Sequence, residues 1–118
     1  LRAVPAWPAA PRPVLADDLW PERVLDGDPY AERALVEHVV HPLASAGGAL
    51  ADTLQVYLEG GGAVESCART LFVHANTVRY RLRKVAEITH RDPTVARDAY
   101  VLRVAWAVGQ LTRSRAGA

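Results

Sequence analysis

What the sequence is short of narrows its reading first. A single cysteine occurs in 118 residues, which excludes an intrachain disulfide framework. Cys67 itself lies beside an apolar stripe, where a small buried thiol is the ordinary state. No apolar run approaches the roughly 20 residues that a membrane-spanning helix needs. Excess charge is missing too: 14 Lys and Arg against 13 Asp and Glu leave +1, so overall charge does not announce a nucleic-acid partner. Gly60-Gly61-Gly62 is followed by no Lys-Ser/Thr pair and preceded by no strand pattern, which excludes a P-loop. His38 and His41 share a spacing able to hold a metal, but no Asp, Glu or Cys is placed to complete a set, so neither metal nor cofactor is expected. No nucleophile, base and orienting group can be assembled, and the length leaves no room for a separate catalytic domain, so no enzyme is expected. Leu1 opens neither a signal peptide nor a natural start, and we read the chain as part of a longer cytoplasmic protein.

What is present is an uneven distribution of that balanced charge. Residues 1–48 carry seven acidic and four basic side chains, whereas residues 69–91 carry six basic ones against Glu87 alone. Within the basic stretch, Val78, Leu82 and Val85 fall at i, i+4 and i+7, one narrow apolar stripe on a helix of about 75–88. With that stripe inward, about 100° per residue turns Asn76, Arg79, Tyr80, Arg83 and Lys84 outward, with Thr77 on one flank and Arg81 at the stripe's edge. Just upstream, Val64, Ala68 and Leu71 make a second stripe on a short helix of about 63–72. Val73 and His74 leave a connection of three to four residues before the polar start at Asn76-Thr77, which is the spacing of a helix-turn-helix. Ala68 is small where the two helices must cross closely.

The remaining segments supply the scaffold. Residues 1–14 hold Pro5, Pro8, Pro11 and Pro13 and read as a linker or arm that packs Trp7 and Val14 on a neighbouring surface. Asp17 to Leu25 predicts one or two helical turns around Trp20 and Pro21. Asp28-Pro29 is a cap followed by proline, so a helix follows with Leu35, Val36, Val39, Val40 and Leu43 buried, and Pro42 bends or ends it near His41. Leu50, Leu54, Tyr57 and Leu58 mark another helix, stopped by the three glycines. Asp92-Pro93 repeats the cap signal ahead of a helix from Thr94 to Leu111, whose apolar residues exceed one stripe. Residues 113–118 read as a fraying tail.

LADTLQVYLEGGG followed by ARTLFVHANTVRYRLRKVAEIT resembles the C-terminal helix-turn-helix domain of PucR-type (CdaR-like) bacterial transcriptional regulators, with VHANTVRYRL its most specific part. The likeness runs from about Asp18 to Leu111. The segment LRAVPAWPAAPRPVLADDLWPERVLDGD further resembles the equivalent stretch of actinobacterial PucR-type regulators of fatty-acid biosynthesis genes. Three positions depart from the family pattern. Ala63 stands where Asn or Ser is usual and weakens a helix cap, Ala75 removes a potential contact, and His90 stands where Gly is usual and is expected in a left-handed conformation.

The resemblance implies an all-α domain with a three-helix core and flanking N- and C-terminal helices, filling 17–112 behind an arm at 1–16 that comes from a signal-sensing region. It implies binding to double-stranded promoter DNA, with any effector ligand held by the sensing region. Carried onto this sequence, the helix entering the groove runs from His74 to Arg83, and together with the helical wheel this makes His74, Asn76, Thr77, Arg79, Tyr80, Arg81, Arg83 and Lys84 the expected DNA-binding residues. Asn76, Thr77, Arg79 and Tyr80, near the helix start, are expected at base edges or adjacent phosphates, and Arg81, Arg83 and Lys84 are expected to track phosphates. A homodimer is expected on two half-sites. The alternative is a helical protein-interaction module that binds no DNA.

Overall fold

The computed structural model of the chain describes residues 3–10 and 15–117, and all regular structure among them is helical. Tight 3-10 turns at Val4–Ala6 and Ala16–Leu19 lead into α1 (Trp20–Leu25), which takes Pro21 in its first turn, where no backbone donor is needed. Val14 lies outside the described residues. α2 (Pro29–Leu35) starts at the expected cap, the Asp28 carboxylate accepting from the N–H of Tyr30 at 2.9 Å and of Ala31 at 3.4 Å. Arg23 also donates to it at 2.9 Å, and chiefly this bond holds Asp28 below the usual carboxylate range.

Pro42 neither ends nor sharply breaks the helix. A proline ring would collide with the carbonyl of His38 four residues back and leave that carbonyl unpaired. Ahead of the proline the chain widens at Val36–Val40 into one π-helical turn, in which the His41 N–H donates to the Val36 carbonyl five residues back. α3 (His41–Ala46) then continues the same rod. Leu35, Val39 and Leu43 all stay buried, so the widened turn keeps one face inward. His38 lies outside the core, stacked on the Trp20 ring at 5.3 Å.

α4 (Leu50–Glu59), α5 (Val64–Leu71) and α6 (Ala75–Thr89) pack on one another as the three-helix core, burying Leu54, Tyr57, Cys67, Ala68, Val78, Leu82 and Val85. Gly61 and Gly62 carry the positive φ angles that close α4, the Gly62 N–H returning to the Tyr57 carbonyl at 2.9 Å.

α7 (Ala96–Gly117) departs from expectation at both ends. Its start falls two residues late because the Asp92 carboxylate accepts from the Thr94 N–H at 2.9 Å and hydroxyl at 2.7 Å, closing a turn before the helix instead of capping it. Those bonds also hold Asp92 below the usual carboxylate range, the Thr94 hydroxyl contributing most. At the far end the helix runs on through the predicted tail to Gly117. Arg113 reaches Gln110 and Arg115 pairs with Glu32 of α2 at 3.3 Å, and no proline interrupts the run. The surplus apolar surface of α7 is covered largely within the chain, by α1, α2, the π turn and α4. Gly109 permits the close approach: a Cβ there would meet the Val40 methyls at 3.0 Å. Tyr100 and Leu111 stay exposed. No helix among the described residues is long and apolar enough to cross a membrane.

A buried ion pair fastens the N-terminal elements to α7. Arg97 donates through both terminal nitrogens to Glu22 at 2.6 Å each and to the Asp18 carbonyl at 2.8 Å, with its guanidinium 3.6 Å from the Trp7 ring centre. Glu22 is only 2% exposed. Removing one partner of such a pair strands the other, so Arg97→Ala is expected to cost about 3 to 5 kcal/mol in urea unfolding. Glu22→Leu combined with Arg97→Met is expected to recover most of that loss.

Candidate nucleic-acid interface

α5 is built without a side-chain cap, as Ala63 requires, and ends at Phe72 in a left-handed conformation with φ 57°. The Val73 N–H bonds the Ala68 carbonyl at 3.1 Å across that residue, which turns the chain sharply into α6. His74 is the residue that caps α6, a role not read from the sequence. Its Nδ1 accepts from the Asn76 N–H at 2.9 Å, so Nδ1 carries no proton and the ring's remaining donor is Nε2–H. At the other end His90 adopts the expected left-handed conformation, φ 58°. The buried Thr89 hydroxyl donates to the Val85 carbonyl at 2.8 Å and accepts from the Arg91 N–H at 3.2 Å.

Val78, Leu82 and Val85 are buried as expected, joined by Thr89. His74, Asn76, Arg79, Tyr80 and Arg83 are exposed on the opposite side, with Thr77 and Lys84 half-buried at its flanks. The Arg79 guanidinium is held in place: one terminal nitrogen donates to Asn76 Oδ1 at 2.9 Å, and the other pairs with Glu65 Oε1 of α5 at 3.4 Å. The Lys84 ammonium lies over the Tyr80 ring at 5.7 Å and pairs with Glu87 at 3.2 Å. Arg83 borders a hollow shared with Val64, Asp92 and Thr94.

Arg81 is not brought to this face. It turns toward α4, where its guanidinium donates to the hydroxyl of Thr53 at 3.1 Å. Thr53 is fully buried and itself donates to the Ala49 carbonyl at 2.7 Å. Its own carbonyl accepts the Cys67 thiol at 3.7 Å. Burial pushes the Cys67 thiol above its ordinary pKa, in keeping with an inert packing role. Among the described residues no cluster of His, Cys, Asp and Glu could hold a metal ion. Sequence reasoning missed Glu65, although its place in the first turn of the helix that crosses the basic one was the available signal.

Two short helices crossing at a tight turn, with the second presenting its cations away from the core, define a helix-turn-helix domain. The family of PucR C-terminal helix-turn-helix domains matches residues 50–108, and the chain belongs to that family. It is 60% identical over 111 residues to uncharacterized proteins of Mycobacterium tuberculosis and Mycobacterium bovis, an alignment covering 94% of this chain and 27% of theirs. The solved structure of a regulator of polyketide synthase expression from Bifidobacterium adolescentis superposes with a TM-score of 0.87 at 43% identity, covering 95% of this chain and 45% of that one. The chain thus spans about a quarter of the length of the curated relatives and under half of the solved relative.

Thr53→Val tests how Arg81 is anchored. It removes the acceptor from Arg81 and the donor from Ala49, and is expected to cost about 1 to 3 kcal/mol in urea unfolding. A loss within error would mean that the Arg81 bond contributes nothing to packing α6 on α4.

Proposed function

We propose that this domain binds promoter DNA sequence-specifically, as the non-catalytic DNA-binding part of a longer cytoplasmic transcription regulator. Residues 17–112 form the binding unit, residues 1–16 are the arm toward a sensing region, and any effector is bound by that region. The observation that carries the reading is the division of α6 into a buried stripe and an exposed cationic face, which presents that face as one rigid surface. Helix-turn-helix domains lay such a helix in the major groove, with its first turns nearest the bases. The helix N-terminus also turns the positive end of its dipole toward the phosphates.

In this reading Asn76, Thr77, Arg79 and Tyr80 meet base edges, and the Nε2–H of His74 donates to an adjacent phosphate. Arg83 and Lys84 track the backbone. Arg81 acts through its anchor on Thr53, keeping α6 at a fixed tilt. The regulator from Bifidobacterium adolescentis supports the assignment, since a protein controlling expression carries the same fold over nearly the whole of this chain.

Affinity for duplex DNA is expected to fall steeply with salt, and Lys84→Ala to reduce the slope of log K against log salt by about 1. Arg79→Ala is expected to cost about 1 to 3 kcal/mol on a site selected from random duplexes and to relax preference at one base pair, because arginine near a recognition-helix start pairs bidentately with guanine. A flat salt dependence, joined to binding of a protein partner, would favour the interaction-module alternative.

The domain is further expected to act in pairs, on half-sites about 34 Å apart. Sedimentation with a duplex carrying two half-sites checks this. One-to-one saturation without cooperativity would reject it.

A further inference from the structure

Arg79 on the exposed face of α6 has two restraints, and one of them lies outside that helix. Asn76, three residues earlier, holds one edge of the guanidinium at 2.9 Å. The second restraint, Glu65, is fourteen residues away in sequence and sits in the first turn of α5. Both side chains stay in contact with water, at 48% exposure for Arg79 and 68% for Glu65. The pair therefore adds little to stability, as exposed ion pairs generally do.

Its position has two other effects. A free arginine surrenders rotamer freedom when it locks onto a base edge. Here the contacts with Asn76 and Glu65 bias the side chain toward one direction before DNA arrives. The planar fork offers five donors in fixed directions, and the two bonds leave three for a new partner. At the same time the Glu65 carboxylate stands on the surface turned toward the polyanion, where it repels phosphate on any sequence. It thus lowers indiscriminate attraction while favouring the one geometry in which Arg79 is aimed.

We propose that Glu65 is a specificity-determining positioning residue of the interface, acting through Arg79 and Asn76 and not by touching a base. This rests on the reading that α6 enters the major groove. Carboxylate, guanidinium and amide form one unit across the two helices of the motif. The angle between α5 and α6 is thereby converted into the direction of a single side chain.

The test compares Glu65→Gln and Glu65→Ala with the native chain on two duplexes, one carrying the site selected by the native protein and one of random sequence. Both variants are expected to bind the random duplex about twofold to fivefold more tightly, the size of one exposed charge interaction. The ratio of selected to random affinity is expected to fall by a similar factor in Glu65→Ala. Glu65→Gln keeps an acceptor for the guanidinium and is expected to retain part of the ratio. In an Arg79→Ala background, Glu65→Ala is expected to raise random binding but to leave the ratio unchanged. A ratio unaltered by Glu65→Ala in the native background, or lowered equally with and without Arg79, overturns the proposal. Failure of the underlying reading is separately visible, as a native protein that selects no duplex at all. Urea midpoints of the variants close to native exclude a folding defect, as expected for so exposed a side chain.

Discussion

The inward stripe of α6 is the contact on which the rest of the structure depends. Val78, Leu82 and Val85 leave the solvent almost completely, each burial being worth about 1.5 to 3 kcal/mol. Because a helix is rigid about its own axis, fixing one side fixes the other. The directions of His74, Asn76, Arg79, Tyr80 and Arg83 follow from those three side chains. The stripe needs a close-packed floor, supplied where Ala68 and Cys67 of α5 and Leu54 of α4 are buried against it. Small residues at that crossing bring α5 near enough for Glu65 to reach Arg79.

Much of this was legible in the sequence because it is local. Stripes at i, i+4 and i+7 gave the buried faces of α4 and α6, the α5 stripe proved buried only at Ala68, with Val64 and Leu71 half-buried, and the Asp28-Pro29 signal gave the start of α2. The left-handed residue at His90 was legible only through the family resemblance, which places a glycine there. What was not legible depends on which distant groups meet. Periodicity put Arg81 at the edge of the stripe, but a long side chain there can swing either way. The choice is made by the Thr53 hydroxyl, 28 residues earlier. The pairing of Arg79 with Glu65 across the turn, and of Arg97 with Glu22 across 75 residues, are likewise tertiary facts. Asp92-Pro93 misled in another way: the same carboxylate chemistry that caps helices also closes turns, and nearby Thr94 claimed it.

The two ends of the chain serve the interface indirectly. α7 lies against α1, α2, the π turn and α4, and Arg97 ties α1 and the preceding turns to it. On the α7 side Arg97 neutralises the Glu22 carboxylate and also holds the Asp18 backbone carbonyl, while on α6 Arg79 and Lys84 are paired with Glu65 and Glu87. Apolar burial places the helices, and ion pairs decide which charges remain free to act.

The π turn at Val36–Val40 has a consequence for comparing this domain with its relatives. A π turn holds one residue more than the α-helical turn it replaces, while the helix on either side keeps its facing. Deleting a single residue between positions 36 and 40 would therefore restore an ordinary helix and leave Leu43 pointing at the same neighbours, provided Pro42 were lost with it. A relative without that proline can carry a one-residue gap here and still superpose on α3 and α4. In an alignment the gap and the missing proline would travel together, and a gap alone would mark a misplaced register, not a change of fold.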